Sequence, residues 1–298
     1  MTAITHLGTL TPLFAPSYTQ GLRFSREADP SMSLLWLRVA LVLYSAAALA
    51  VLPAALYDRL GWIRIAIPAA STAVLFHFVS LTEMLNAAHH TLPVDSHETQ
   101  SLLALLLVVA FLAVYARWRT VALGIFVLPI AVLLTLVPAL RPGQETILLA
   151  HSGWIFLHIA LLLAAYAALF LSLVASVLYL VQERRLKTKQ PALRGLPPLE
   201  TTDQIALKTL LFGLPCMTAG LLIGSALAEQ EYGPAFFTDP KILLAFAMWF
   251  AYCVMIFIRR HSGLRGRRAV YLSSFVFFVV LTVWAANQFS SVHRFTTP

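Results

Sequence analysis

Nine histidines are the residues of this chain best suited to do chemistry. His6, His89, His90, His97, His151 and His293 fall in polar segments or at the ends of apolar runs, His77 and His158 fall inside such runs, and His261 sits in a basic stretch. An imidazole inside a membrane-length apolar run is costly enough to mark a pathway, a ligand or a relay, and neutral imidazole is also a common axial ligand to haem iron. His151, Trp154 and His158 stand at i, i+3 and i+7, which stacks them on one helical face with His158 deepest. A flat porphyrin suits that face. Spacing alone slightly favours a plainer alternative, in which Trp154 belongs to an interfacial belt, His151 meets water and His158 bonds a neighbouring helix.

Two further clusters carry candidate groups. The segment EQEYGPAFFTDPK (229–241) combines Glu229 and Glu231 with Tyr232, Phe236 and Phe237 and ends in Asp239, Pro240 and Lys241. Aromatics at a membrane edge form a platform for a planar apolar ligand. They also form ordinary interfacial belts, and Asp239 before Pro240 reads as the cap and first residue of the following helix. The segment HHTLPVDSHE (89–98) holds three histidines with Asp95 and Glu98, a donor set that suits several transition metals. Its spacing fits no metal motif and Pro93 interrupts it, so a polar loop is the better reading. The two cysteines, Cys216 and Cys253, lie in separate apolar runs and form no CxxC pair, which argues against a disulfide framework or thiol-exchange centre.

The elements that must position these groups follow from composition. Of 298 residues, 59% are hydrophobic and 11% charged, a balance foreign to a water-soluble domain. A bilayer core of about 30 Å needs about 20 apolar helical residues, and eight runs approach that length: 33–56, 63–85, 101–116, 120–140, 152–182, 207–228, 242–258 and 269–289. Backbone groups in lipid must be satisfied within the segment, so the expected fold is all-α, a polytopic transmembrane helical bundle of about eight spans. Assigning the loops alternately to two sides puts fifteen lysines and arginines on one side and five on the other, with Arg38 inside the first span. By the positive-inside rule the basic loops are cytoplasmic and both termini external. The net charge of +8 is thereby explained with membrane lipid and without nucleic acid as a partner.

The expected organisation is an N-terminal segment 1–32, four front spans over 33–140 and a rear core over 150–295. The polar stretch 183–206 reads as a cytoplasmic linker between the two groups of spans. Residues 1–32 are an external arm or precede the true start at Met32, and sequencing the native N-terminus distinguishes the two. In the fifth span Ala160, Ala164, Ala168, Ser172 and Ser176 recur every fourth residue, and in the sixth Gly220 and Gly224 make a GxxxG with Pro215 able to kink the helix. Such small residues let helices approach closely, and both features read as architecture.

The rear half, from HSGWIFLH through YAAL, FGLPCMTAGLLIG, the EQEYGPAFFTDPK loop and a histidine after the last run, resembles the cytochrome c assembly family of CcsA/CcmC type, nearest its HemX-like, YpjD-type branch. The resemblance is clearest over 150–295. It implies haem handling at the outer face of a bacterial inner membrane, with haem b as cofactor, His158 and His293 as iron ligands, and Trp154, Tyr232, Phe236, Phe237 and Asp239 around the porphyrin. His77 matches the family's other intramembrane histidine loosely. The loop holds no tryptophan where the family's synthases are tryptophan-rich, and Phe257 stands where some relatives carry a histidine. Those departures favour an accessory or regulator over a haem lyase, with other cytochrome c assembly proteins or a tetrapyrrole-synthesis enzyme as partners. A rival reading from the charges alone is a small-solute permease built on Arg38, His77 and Glu83.

Overall fold

In a computed structural model of the chain, the described residues are 30–57, 60–87, 96–140, 153–189, 195–233 and 240–261, with 271, 274–275 and 277–278. They form seven helices and contain no strand: α1 (Pro30–Tyr57), α2 (Leu60–Ala87), α3 (Ser96–Trp118), α4 (Gly124–Leu140), α5 (Gly153–Lys187), α6 (Leu199–Tyr232) and α7 (Pro240–His261). Six are long and apolar enough to cross a membrane, and α4 is a shorter apolar helix of 17 residues. The chain is a multi-pass helical membrane protein. The eighth run, 269–289, lies largely outside the described residues, although its helical Phe277 ring meets Phe170 of α5 at 5.7 Å.

Cross-helix bonds give the direction of five helix pairs. Ser80 of α2 donates to the Ser33 carbonyl of α1 at 2.7 Å, His77 of α2 meets Ser101 of α3, and Arg38 Nε of α1 donates to the Ala139 carbonyl of α4 at 3.2 Å. In the rear, Ser172 of α5 donates to the Ala206 carbonyl of α6 at 2.8 Å. Trp249 and Tyr252 of α7 donate to Thr218 Oγ1 and the Leu210 carbonyl of α6 at 2.9 and 3.0 Å. Early residues of one helix thus meet late residues of the next. One end of the bundle carries Arg117, Arg119, Arg184, Arg185, Lys187 and Arg259 and is here called the basic end.

Hydropathy marks where lipid would lie, and helices run past it. The 183–206 stretch is mostly helix: α5 continues through Lys187, supported by the Lys187–Glu183 ion pair, and α6 begins at Leu199 behind Pro197 and Pro198. With 35 residues α5 is about 52 Å long, so it exceeds a bilayer core of about 30 Å by several turns. Only residues 188–198 remain as a connection, and Gly195 packs so tightly on α1 that a Cβ there would lie 2.6 Å from the Ala55 carbonyl carbon. The third span is longer than its apolar run for the same reason, since Ser96–Glu98 forms the first turn of α3 and is not loop.

The main apolar core joins front and rear. Tyr44, Val51, Phe111, Leu123 and Leu128 are buried in one cluster with Leu171, Ala175 and Ile205 of α5 and α6. The small-residue stripe of α5 faces α6 as its spacing indicates: Ala168, Ser172 and Ser176 are buried, and a Cβ on Gly213 of α6 would meet Ala168 Cβ at 3.2 Å. A second cluster holds α5, α6 and α7 together around Leu169, Met217, Met248 and Tyr252. Helix α6 ends at Gly233, whose φ of 64° lets its N–H cap the Glu229 carbonyl, a conformation that favours glycine.

At the basic end Arg259 of α7 donates to the Asp203 carboxylate of α6 at 2.7 Å, with side-chain exposures of 5% and 17%. Removing one partner of so buried a pair strands the other charge, at a cost of about 3–5 kcal/mol. Tyr252→Phe loses only a hydrogen bond of the kind that averages about 0.6 kcal/mol between membrane helices. Asp203→Ala should therefore lower the thermal midpoint of the detergent-solubilised protein far more than Tyr252→Phe; equal shifts would contradict the pairing.

Candidate functional site

At the end of the bundle opposite the basic one, α5 starts at Gly153 and presents Trp154 and, one turn deeper, His158. Trp154 is 61% exposed, as suits an aromatic at a membrane boundary, and His158 is half-buried. His158 reaches across to α6, where its Nδ1 lies 2.6 Å from the Gly220 carbonyl oxygen. A carbonyl only accepts, so Nδ1 carries a proton in that bond.

The ring fits because α6 lacks a side chain beneath it. A Cβ on Gly224 would lie 2.5 Å from His158 Nδ1 and closer still to Cε1. On Gly220, one turn away, a Cβ would meet Leu162 Cδ2 at 2.9 Å. The GxxxG is therefore more than an approach surface: Gly220 receives Leu162 and Gly224 receives the imidazole. Sequence reading missed this role for Gly224. The pairing follows from the antiparallel register of the two helices, in which residues rising from 158 on α5 meet residues falling from 224 on α6.

His77 sits elsewhere, in the front helices. It is wholly buried, with Nε2 2.7 Å from Ser101 Oγ of α3 and Nδ1 3.3 Å from Tyr44 Oη of α1, whose ring stands edge-on to the imidazole at 5.8 Å. One intramembrane residue thus links three helices, and both ring nitrogens are engaged by hydroxyls. Tyr44 and Ser101 are further functional candidates that the sequence reading did not pick out; each is a polar group inside an apolar run. Glu83 and His97, at the same end as Trp154, each bury one polar atom, Oε2 and Nδ1, without a hydrogen-bond partner.

His261, at the basic end, stacks on Phe257 at 4.1 Å and bonds that residue's carbonyl through Nδ1. Phe257 is 60% exposed. Pro240 opens α7 as its sequence position suggests. His151, His293, Phe236, Phe237 and Asp239 lie outside the described residues, as do the side chains of Tyr232, Pro240 and Lys241. Among the described residues no group of three or more His, Cys, Asp or Glu side chains could hold a metal ion, and Cys216 and Cys253 are free thiols.

The structure thus brings Trp154 and His158 together on one α5 face, seats His158 on α6, and keeps His77 in a separate front cluster. Comparison with known proteins covers the front and rear helices alike. The model of the cytochrome c assembly protein family matches residues 32–284, well over half the chain, and the chain belongs to that family. The match includes His158 and His77, and His293 lies past its end. Among similar proteins, the cytochrome c biogenesis protein CcsA of Heterosigma akashiwo is 25% identical over 232 residues, covering 65% of this chain and 72% of that one. Its counterpart in Prochlorococcus marinus subsp. pastoris is 28% identical over 208 residues, or 62% of this chain and 63% of that one. That of Guillardia theta is 25% identical over 215 residues, or 64% and 71%.

The front cluster yields its own test. His77→Ala strands the Tyr44 and Ser101 hydroxyls and opens a cavity, whereas Tyr44→Phe or Ser101→Ala removes a single partner. His77→Ala should cost roughly 2–5 kcal/mol and each single-hydroxyl change roughly 1 kcal/mol or less, read as detergent thermal midpoints. A His77→Ala protein as stable as the parent would show that the bridge does not hold the helices.

Proposed function

We propose that this chain is a haem-handling membrane protein of cytochrome c biogenesis, binding haem b at the outer face of a bacterial inner membrane. The basic end then faces the cytoplasm and the Trp154–His158 end the exterior. The observation that carries the reading is the seat of His158: an imidazole near one end of the bundle whose Nδ1 is held by the Gly220 carbonyl. A carbonyl on one ring nitrogen is a usual outer-shell partner of a metal-bound histidine.

His158 is one ligand in this proposal and His293 the other, with Trp154, Tyr232, Phe236, Phe237 and Asp239 around the porphyrin edge. Two neutral imidazoles would give a six-coordinate iron centre when haem is bound. His77, with both nitrogens engaged, serves as the strut of the front helices in this reading, or as a deeper haem contact once those hydroxyls rotate away. The loop after α6 holds no tryptophan. That supports a HemX-like accessory which binds or hands over haem, in company with other assembly proteins or an enzyme of tetrapyrrole synthesis, over a lyase that forms thioether bonds. The names of the CcsA relatives, which describe cytochrome c biogenesis, support the process.

The detergent-solubilised protein supplied with haem should show a Soret band of six-coordinate haem. His158→Ala and His293→Ala should each shift that band and weaken haem retention by at least the roughly 10- to 100-fold that losing an outer-shell partner costs. His261→Ala, at the opposite end, should leave the spectrum unchanged. Absence of any Soret band after haem supplementation overturns the proposal.

A further inference from the structure

We propose that Arg117, Arg119 and Lys208 form a seat around Trp118 for the phosphate headgroup of an anionic phospholipid, at the basic end where α3 meets α6. The inference requires only that the chain spans a membrane, and it stands or falls apart from the haem reading.

Three observations carry it. The first is convergence. The Arg117 guanidinium of α3 lies over the Trp118 ring at 5.4 Å from its centroid, and Lys208 Nζ reaches the same ring from α6, also at 5.4 Å. Two like charges thus stand no farther apart than twice that distance, although exposed cations on separate helices gain by spreading into water. Arg119, just past the end of α3, adds a third, 5.8 Å from the Tyr115 centroid. The second is the missing counter-charge: none of the three forms an ion pair among the described residues, and the acids Glu183 and Asp203 of the same end are taken by Lys187 and Arg259. The third is depth. Trp118 stands two residues past the apolar run 101–116 and Lys208 at the start of the run 207–228, which puts the ring at headgroup level. One turn deeper, Ala113 on α3 and Phe212 on α6 are exposed, Phe212 by 61%, so an acyl chain finds apolar surface directly beneath the cations.

The chemistry selects the ligand. A phosphodiester offers one negative charge and oxygens that the planar fork of Arg117 grips in two bonds, while Lys208 supplies a point charge. A zwitterionic headgroup brings its own cation into the cluster and gains less. Helix α6 begins at Leu199, nine residues before Lys208, so it runs about 13 Å past the height at which α3 ends and walls one side of the seat. A diester tethered to its tails meets the cations and Phe212 together, whereas a free phosphate meets the cations alone. Bound there, the lipid offsets the repulsion between the two helices' cations and ties front to rear.

The test uses the full chain in detergent with phosphatidylglycerol as the probe. Added phosphatidylglycerol should raise the thermal midpoint, and one such lipid should stay bound in native mass spectra. Lys208→Gln combined with Arg117→Gln should weaken that retention roughly 10-fold or more. Arg184→Gln combined with Arg185→Gln removes the same charge from the same end and should retain the lipid as the parent does. Equal losses in the two double variants show general attraction to a basic surface and overturn the inference. Equal retention of phosphatidylcholine also overturns it, as does the same midpoint rise from inorganic phosphate alone, which makes the seat one for a free anion. If the Lys208 and Arg117 double variant does not fold, Lys208→Glu decides: weakened retention supports the inference and parent-like retention overturns it.

Discussion

Lipid offers no hydrogen bonds, so a polar side chain inside this bundle turns either to its own helix, as Ser45, Thr135 and Ser225 do, or to another helix for its partner. That constraint organises the molecule. His77 ties α2 to α1 and α3, Ser80 and Arg38 tie α1 to α2 and α4, and His158 and Ser172 tie α5 to α6. Trp249, Tyr252 and Arg259 tie α7 to α6 at three heights. Apolar packing supplies contact area but little register, because a leucine meets lipid nearly as well as it meets another leucine. A directed bond from a lone polar group fixes which turn faces which. The same residues that chemistry would use are therefore those that hold the helices in step.

The site grows out of this arrangement. Helix α5 is long, begins close to one boundary with Trp154 and lines its α6 face with alanine and serine, so α6 approaches closely along several turns. Close approach brings a main-chain carbonyl within reach of His158, which a larger residue at 224 would prevent. The glycines and the small-residue stripe are thus two halves of one interface, and the imidazole stands at its open end. At the other end, Lys208 of α6 lies 5.4 Å from the Trp118 ring centroid and links α6 to α3, while Arg117 of α3 lies over the same ring at 5.4 Å.

Much of the fold was legible in the sequence, because a run of apolar residues long enough to cross lipid has few structural choices. The seven observed helices coincide with seven expected runs, and the face carrying Trp154 and His158 followed from helical spacing. Helix ends were not legible. Ser96–Glu98, Glu183–Lys187 and Leu199–Ala206 are polar enough to read as loop, yet helix propensity and packing against neighbours extend the helices through them. Pairings across helices were also hidden: nothing local to Gly224, Ser101 or Tyr44 names its partner, since the partner depends on antiparallel register. Orientation and the two-ligand arrangement rest on the charge count and on the family resemblance, as His293 and the aromatic loop lie outside the described residues.

The two intramembrane histidines differ in one respect that their shared chemistry conceals. His158 faces an oxygen that can only receive, whereas His77 is flanked by two hydroxyls, either of which can give or receive a proton. The Tyr44–His77–Ser101 string consequently has two hydrogen orderings of opposite polarity on one heavy-atom framework, related by hydroxyl rotation and an exchange of tautomer. Passing from one ordering to the other moves only hydrogens and leaves every helix where it is.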